Sequence, residues 1–203
     1  MLDATKRFIA NPHTMYFNHF LPAGNISRPS IVSLMTGIYD AQLELNEMEA
    51  FWYNTVPTSF AGQMKKLGYQ TIYWYGGNAS NGNFNHFGRS QGFDRVESAT
   101  DFCGPQAPRT WVGVYDHVFL QEAAKRIKEI QEPTFHFIYT TSNHGPYKIE
   151  PEVLKFDNPF LMNPLAQISA IMKNAAKLLG RLVMLTKLST ILLMKSERLF
   201  QIV

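Results

Sequence analysis

The run Gly24-Asn25-Ile26-Ser27-Arg28-Pro29-Ser30-Ile31-Val32-Ser33-Leu34-Met35-Thr36-Gly37 constrains this chain more than any other segment. A polar loop opened by Gly24 passes directly into an apolar helical pattern, with Ser27 at the junction. Serine favours helix starts, and proline is tolerated in a first turn because its missing N–H has no partner to lose there. The unpaired N–H groups and the positive dipole end at such a start attract anions. A hydroxyl at that position is either a helix cap or a nucleophile facing a phosphate or sulfate. The segment alone leaves both readings open.

Downstream residues predict an α/β chain. Phe60, Met64 and Leu67 have helical spacing, and Gly68 stands at the expected stop. Tyr69 to Tyr75 is a strand candidate closed by Gly76-Gly77-Asn78. Asp116 is placed to cap a helix running through Gln131, with Phe119, Ala123, Ile127 and Ile130 on one face. Pro133 ends it, and Thr134 to Thr141 reads as a second strand. Alternation of helix and strand predicts a mostly parallel sheet with flanking helices. Leu2 to Ile9 reads as a short helix, Met15 to Phe20 as a strand and Ser30 to Met35 as a helix, whereas the Asn-, Gly- and Ser-rich stretch from Asn78 to Gly92 reads as a surface loop. Glu44, Glu47 and Glu49 form either a metal site or, on composition, a solvated acidic loop. His136 sits inside a strand and reads as a packing residue, while His13, His19 and His117 have no evident sequence partners.

The loop Ser142-Asn143-His144-Gly145-Pro146-Tyr147 follows the second strand directly. In open α/β sheets ligands sit beyond the carboxyl ends of strands, so Asn143 and His144 stand where binding residues collect. The stretch Ser27 to Gly37 resembles the nucleophile segment of sulfatases and of phosphoglycerol transferases related to lipoteichoic acid synthase, in the alkaline-phosphatase superfamily. Ser27 matches the nucleophile, Pro29 the proline and Thr36-Gly37 the helix end. Ile31 stands where sulfatases have the Arg of the signal that converts the nucleophile to formylglycine. The expectation is therefore an unmodified hydroxyl, as in relatives that move phosphoglycerol or phosphoethanolamine groups. The Asn-His-x-Pro-Tyr pattern at Asn143 is similar to the family's anion-contacting loop. The resemblance covers residues 1–160 and implies a partial sulfatase-like domain, with Ser27 as nucleophile and metal ligand and Asn143, His144, His86 and Arg89 as substrate contacts. A plain surface role is the weightier reading for His86 and Arg89, because their local match to the family is loose. It further implies a divalent metal (Mn²⁺, Mg²⁺, Zn²⁺ or Ca²⁺), an anionic phospho- or sulfo-ester substrate, membrane lipid as substrate of the full-length relatives, and a membrane-anchored place in the cell envelope.

Composition bounds these readings. The 203 residues, 45% of them hydrophobic, suffice for one sizeable core. A net charge of +3 gives no footprint for nucleic acid. Cys103 is the only cysteine, which leaves no internal disulfide and no thiolate metal site. No secretory leader and no apolar run long enough to span a membrane is evident. Residues 161–203 differ from the rest: they carry six Lys and Arg against one acid, Glu197, and are rich in Leu and Met. Ile168 to Leu193 can form an amphipathic helix with a basic face or a core-facing one. Relatives carry here a strand ending in Gly-Asp-His, two of whose side chains bind the metal. This chain has Leu193-Met194-Lys195, followed by Ser196-Glu197-Arg198 as in several relatives. A stretch read in a shifted frame and then restored leaves that pattern. The family's first metal-binding acid belongs to a strand before the nucleophile, ahead of residue 1.

Phosphoryl or sulfuryl transfer needs an activated oxygen, donors around the anion and a cation to offset the developing charge. Three readings follow. The first is a metal-dependent transferase or ester hydrolase, incomplete and weakly active or inactive as written. The second is an anion-binding module without catalysis. The third is an unrelated α/β interaction protein. If residues 161–203 are extraneous to the fold, deletion from about residue 165 is expected to leave solubility unchanged or improved; loss of folding by circular dichroism would make the tail a structural element.

Overall fold

A computed structural model describes residues 3–17 and 19–145. The readings placed on 161–203, and on Pro146 and Tyr147, lie outside these residues. In chain order the helices and strands are α1 (Asp3–Ile9), α2 (Ser27–Thr36), α3 (Ala50–Tyr53), α4 (Phe60–Lys66), β1 (Gln70–Tyr75), α5 (Phe84–Ser90), β2 (Arg95–Ser98), α6 (Ala99–Phe102), α7 (Asp116–Glu129) and β3 (Thr134–Tyr139).

The three described strands form one parallel sheet in the order β2-β1-β3. β1 lies in the middle, and its sequence explains why. Both faces are apolar or aromatic: Ile72 and Trp74 point one way, Tyr73 and Tyr75 the other, all buried. On the tyrosine face pack Ile31, Val32 and Met35 of α2, Ala61 of α4, and Phe84 and Phe87 of α5. On the Trp74 face pack Ala99 of α6 and Phe119, Leu120 and Ala123 of α7. The result is a three-layer α/β arrangement in which each crossover lays a helix on the sheet.

Local signals account for the ends of the elements. α2 stops at Gly37, whose φ of 73° is left-handed and whose N–H reaches Ser33 O at 2.8 Å. Ser59 caps α4 through the Gly62 N–H, and Lys65 and Lys66 complement the dipole of its last turn. Gln91, fully buried, clamps the segment before α4. Its Oε1 accepts from Val56 N–H at 2.9 Å, and its Nε2 donates to Phe51 O and Asn54 O, each at 3.1 Å. At the exit of β1, Gly77 bridges Gly113 in antiparallel fashion, and Val114 N–H donates to Gly76 O at 2.9 Å. A Cβ on Gly113 would press against Gly76 O and stand 2.6 Å from Thr141 Oγ1, so the loop before α7 crosses the strand exit backbone to backbone.

Two sequence expectations fail. Met15, Tyr16, Phe17 and Phe20 form no strand: each is more than half exposed, and no buried face anchors them to a sheet. The stretch from 78 to 92 is not all loop, because Phe84 and Phe87 bury together as one face of α5. α2 begins at Ser27 rather than Ser30, and α7 ends at Glu129 rather than Gln131.

His136, on β3, is a packing residue. Trp74 Nε1 donates to its Nδ1 at 3.0 Å, so the neutral ring carries its proton on Nε2. Burial first, and the Arg95 charge second, pull its pKa down from 6.5 to about 4. Between those values the unfolded chain holds a proton that the folded chain does not. Stability is therefore expected to fall as pH drops from about 6.5 to about 4. His117, whose pKa is lowered by burial against the opposing Asp116 charge, adds a slope of the same sign. His136→Phe should flatten the dependence of the urea midpoint on pH across that window; an unchanged slope would remove His136 as its source.

Candidate functional site

Ser27 is the first residue of α2, but it is not the cap. That position is Ile26, which offers no side-chain bond. Ser30 instead folds back, its Oγ donating to Gly24 O at 3.0 Å and Ile26 O at 2.9 Å. A Cβ on Gly24 would come within 2.8 Å of Pro29 Cγ, so glycine is needed for this tight entry. The Ser27 side chain is left exposed at the helix start. A hollow of about 420 Å³ opens beside the turn, lined by residues 22–25, Pro29, Tyr39 and Gln42. It holds no group charged at neutral pH, and Ser27 is not among its walls.

The residue after Ser27 ties the helix start to the sheet. Arg28 lies against the segment leaving β1, where a Cβ on Gly82 would stand 3.4 Å from its Nε. Its charge also acts on Tyr75, the last residue of β1. Burial pushes the Tyr75 pKa up to about 12, Tyr139 adds to that, and Arg28 works against both. Tyr75 and Tyr139 stack with centroids 4.9 Å apart and planes within 3°. Tyr73, deeper on the same face, is held well above the ordinary phenol value by burial. The carboxyl ends of β1 and β3 thus present stacked tyrosine rings next to a guanidinium.

Arg28 also meets Glu44 and Glu47, each at 3.6 Å. Glu47 accepts a hydrogen bond from Asn83 Nδ2. The loop carrying these acids is strained: Ala41, Gln42 and Glu44 have φ of 53°, 64° and 53°. Left-handed backbone costs a non-glycine residue roughly 1 kcal/mol. Buried Asp40 holds it in place by accepting from Glu44 N–H at 3.1 Å and Leu45 N–H at 2.9 Å.

Asn143 and His144 are exposed in the turn just beyond β3. The turn is fixed from below by Asp116, a fully buried residue in the first turn of α7. Asp116 Oδ1 accepts from the N–H groups of Thr141 at 3.0 Å and Ser142 at 2.9 Å, while its own N–H donates to Ser142 Oγ at 2.7 Å. His144 Nδ1 faces Gly145 O at 2.7 Å; a carbonyl only accepts, so Nδ1 carries the proton. Trp111 stands edge-on to His144 at 5.1 Å and donates from Nε1 to Gly145 O at 3.1 Å.

Of the five residues singled out from sequence, Asn143 and His144 follow the carboxyl end of β3, and Ser27 adjoins Arg28, whose charge acts on Tyr75 at the carboxyl end of β1. Arg89 lies in the last turn of α5 and donates to Asp94 O at 3.3 Å. Asp94 in turn binds Thr71 at the start of β1, which puts Arg89 at the amino edge. His86 rests against Trp52 on the outer side of α5, with centroids 5.8 Å apart. Sequence reasoning overlooked Arg28, Asn83, Trp111 and the role of Asp116, and did not pair Glu44 and Glu47 with a cation. Adjacency of Arg28 to Ser27 was the available signal. Asp116→Ala leaves two buried amides without their acceptor and is expected to cost about 3 kcal/mol, with Asp116→Asn costing less because it keeps an acceptor oxygen. Urea denaturation of both variants tests this; equal losses would show that the oxygen does not matter.

The chain superposes on the lipoteichoic acid synthase LtaP from Listeria monocytogenes with a TM-score of 0.60 at 20% identity, covering 87% of this chain and 44% of that one. A protein in the alkaline phosphatase superfamily from Vibrio parahaemolyticus aligns at 23% identity and a TM-score of 0.47, covering 68% of this chain and 33% of the other. The chain therefore spans less than half the length of either. The first superposition establishes an alkaline-phosphatase-like α/β fold. The sulfatase family model matches residues 3–183, reaching past the described residues into the Leu- and Met-rich segment, and the chain belongs to the sulfatase family.

Proposed function

We propose that this chain carries the nucleophile and substrate side of a phosphoryl- or sulfuryl-transfer site, with Ser27 as nucleophile and Asn143 and His144 as contacts to the anion. Members of the family are hydrolases or phosphotransferases. The observation that carries the reading is that Arg28, next to Ser27, acts on Tyr75 at the carboxyl end of β1, while His144 lies in the turn after β3, the neighbouring parallel strand, and ligands of such sheets bind beyond the carboxyl ends of strands. In the reaction, Ser27 Oγ forms a bond to phosphorus or sulfur as the bond to the ester's alkoxide breaks. The hydroxyl proton is lost and the alkoxide gains one. An acceptor hydroxyl or water then displaces the serine. Phosphoglycerol or phosphoethanolamine transfer from a membrane lipid, at the cell envelope, is the form we favour. None of the described helices is long and apolar enough to cross a membrane.

Family enzymes generally use a divalent metal. Among the described residues no three His, Cys, Asp or Glu side chains cluster to hold one. The carboxylates beside the helix start, Glu44 and Glu47, flank Arg28 instead. The described residues therefore do not make up a metal site. The pairing of both carboxylates with Arg28 supports, as a second reading, anion binding with little or no turnover.

Calorimetric titration of the 203-residue chain with Mn²⁺, together with binding and turnover of bis(p-nitrophenyl) phosphate, tests both. The expected result is weak Mn²⁺ binding, retained diester binding, and turnover near background that Ser27→Ala leaves unchanged. Tight one-to-one Mn²⁺ binding abolished by Ser27→Ala, with turnover, would show a complete site and remove the second reading. A chain that neither binds nor cleaves the diester would overturn the function proposed.

A further inference from the structure

The core gains little from Trp111, which is 73% exposed. It lies in a turn closed by the bridge between Arg109 and Val114, with Thr110 N–H donating to Gly113 O at 2.8 Å. That turn is anchored on the strand exits. Gly113 bridges Gly77, Val114 N–H donates to Gly76 O at 2.9 Å, and a Cβ on Gly113 would stand 2.6 Å from Thr141 Oγ1. Trp111 is therefore carried by backbone fixed to the carboxyl ends of β1 and β3.

Its polar edge goes to one atom. Trp111 Nε1 and His144 Nδ1 both donate to Gly145 O, at 3.1 and 2.7 Å, and the two rings meet edge-on at 85° with centroids 5.1 Å apart. Asp116 holds the turn after β3 at the Thr141 and Ser142 amides. Trp111 holds it again at Gly145, on the other side of His144 in the chain. The tautomer and orientation of a histidine ring follow from the hydrogen bond that one of its nitrogens makes. Here the acceptor of that bond is itself held by the indole.

Resting on the transfer reading above, we infer that Trp111 is a positioning residue for the anion contact: it fixes the Gly145 carbonyl, which orients His144 toward the ester's anionic oxygens. Bound to an anion, His144 is an imidazolium, in which both nitrogens donate. Gly145 O receives the Nδ1–H, and the other N–H meets the anion. Without the indole N–H, the carbonyl and the imidazole turn more freely and the ring loses its single tautomer. Trp111 acts through His144 and not on the substrate.

Two measurements on the 203-residue chain test this. In the first, ring-nitrogen NMR shifts are recorded without ligand, the His144 signals being those missing from His144→Ala. The wild-type neutral ring is expected as one tautomer, protonated on Nδ1. Trp111→Phe, which keeps an aromatic ring and loses the N–H, is expected to show a mixture of both. In the second, calorimetry follows dimethyl phosphate binding around a double-mutant cycle. Trp111→Phe is expected to weaken binding about five-fold, the worth of one hydrogen bond, and to have no further effect in the His144→Ala background. An unchanged tautomer or unchanged binding in Trp111→Phe overturns the proposal. Losses that add in the double variant also overturn it, because Trp111 then acts apart from His144. Full-strength binding in His144→Ala removes His144 as the anion contact, and the role of Trp111 with it, while Ser27 stays as proposed. A chain that binds no diester removes the transfer reading, and the tautomer comparison still decides whether Trp111 orients the ring.

Discussion

Burial of β1 on both faces is the constraint from which the rest of the structure follows. Tyr73 and Trp74 are fully buried on opposite sides of one strand. Neither face can be left to solvent, so helices must cover each, and the strand must have neighbours on both edges to satisfy its backbone. α2, α4 and α5 cover the tyrosine face and α7 covers the tryptophan face. Because the strands are parallel, every strand exit lies at one edge, and the loops that carry polar side chains collect there.

Two buried carboxylates convert that architecture into a defined surface. Asp40 holds the 41–47 loop beside the start of α2, and Asp116 holds the turn that presents His144. Both do so through main-chain amides. The loop bearing Glu44 and Glu47 and the turn bearing Asn143 and His144 are therefore positioned by residues that never reach the surface themselves. A buried carboxylate that accepts two N–H groups is well compensated, which explains how these acids can lie in the interior.

Much of the frame was legible in the sequence because its signals are local. The strand at Gln70–Tyr75, the strand at Thr134–Tyr139 and the helix from Asp116 each follow from periodicity with a clear stop. The misreadings came from effects that periodicity does not carry. Met15 to Phe20 has strand composition, yet pairing depends on a partner and a buried face. Phe84 and Phe87 were outweighed by the Asn, Gly and Ser around them. The site was legible only in part. Ser27 and His144 stand out by motif, whereas the pairing of Arg28 with Glu44 and Glu47 depends on a strained loop whose left-handed residues are not glycines. Asp116 has the composition of an ordinary helix cap; its actual partners, Thr141 and Ser142, are 25 and 26 residues away.

The crossing of Gly113 over Gly76 adds a different kind of constraint. There the chain meets itself as bare main chain, with Gly77 and Gly113 bridged and no room for a side chain between them. A contact of this type specifies a path through space and says nothing about the chemistry of what surrounds it. Side chains on either side can be exchanged freely while the route of the chain over the strand exit stays the same. That separation of route from chemistry is one physical reason why two chains only 20% identical, this one and LtaP, can share a fold.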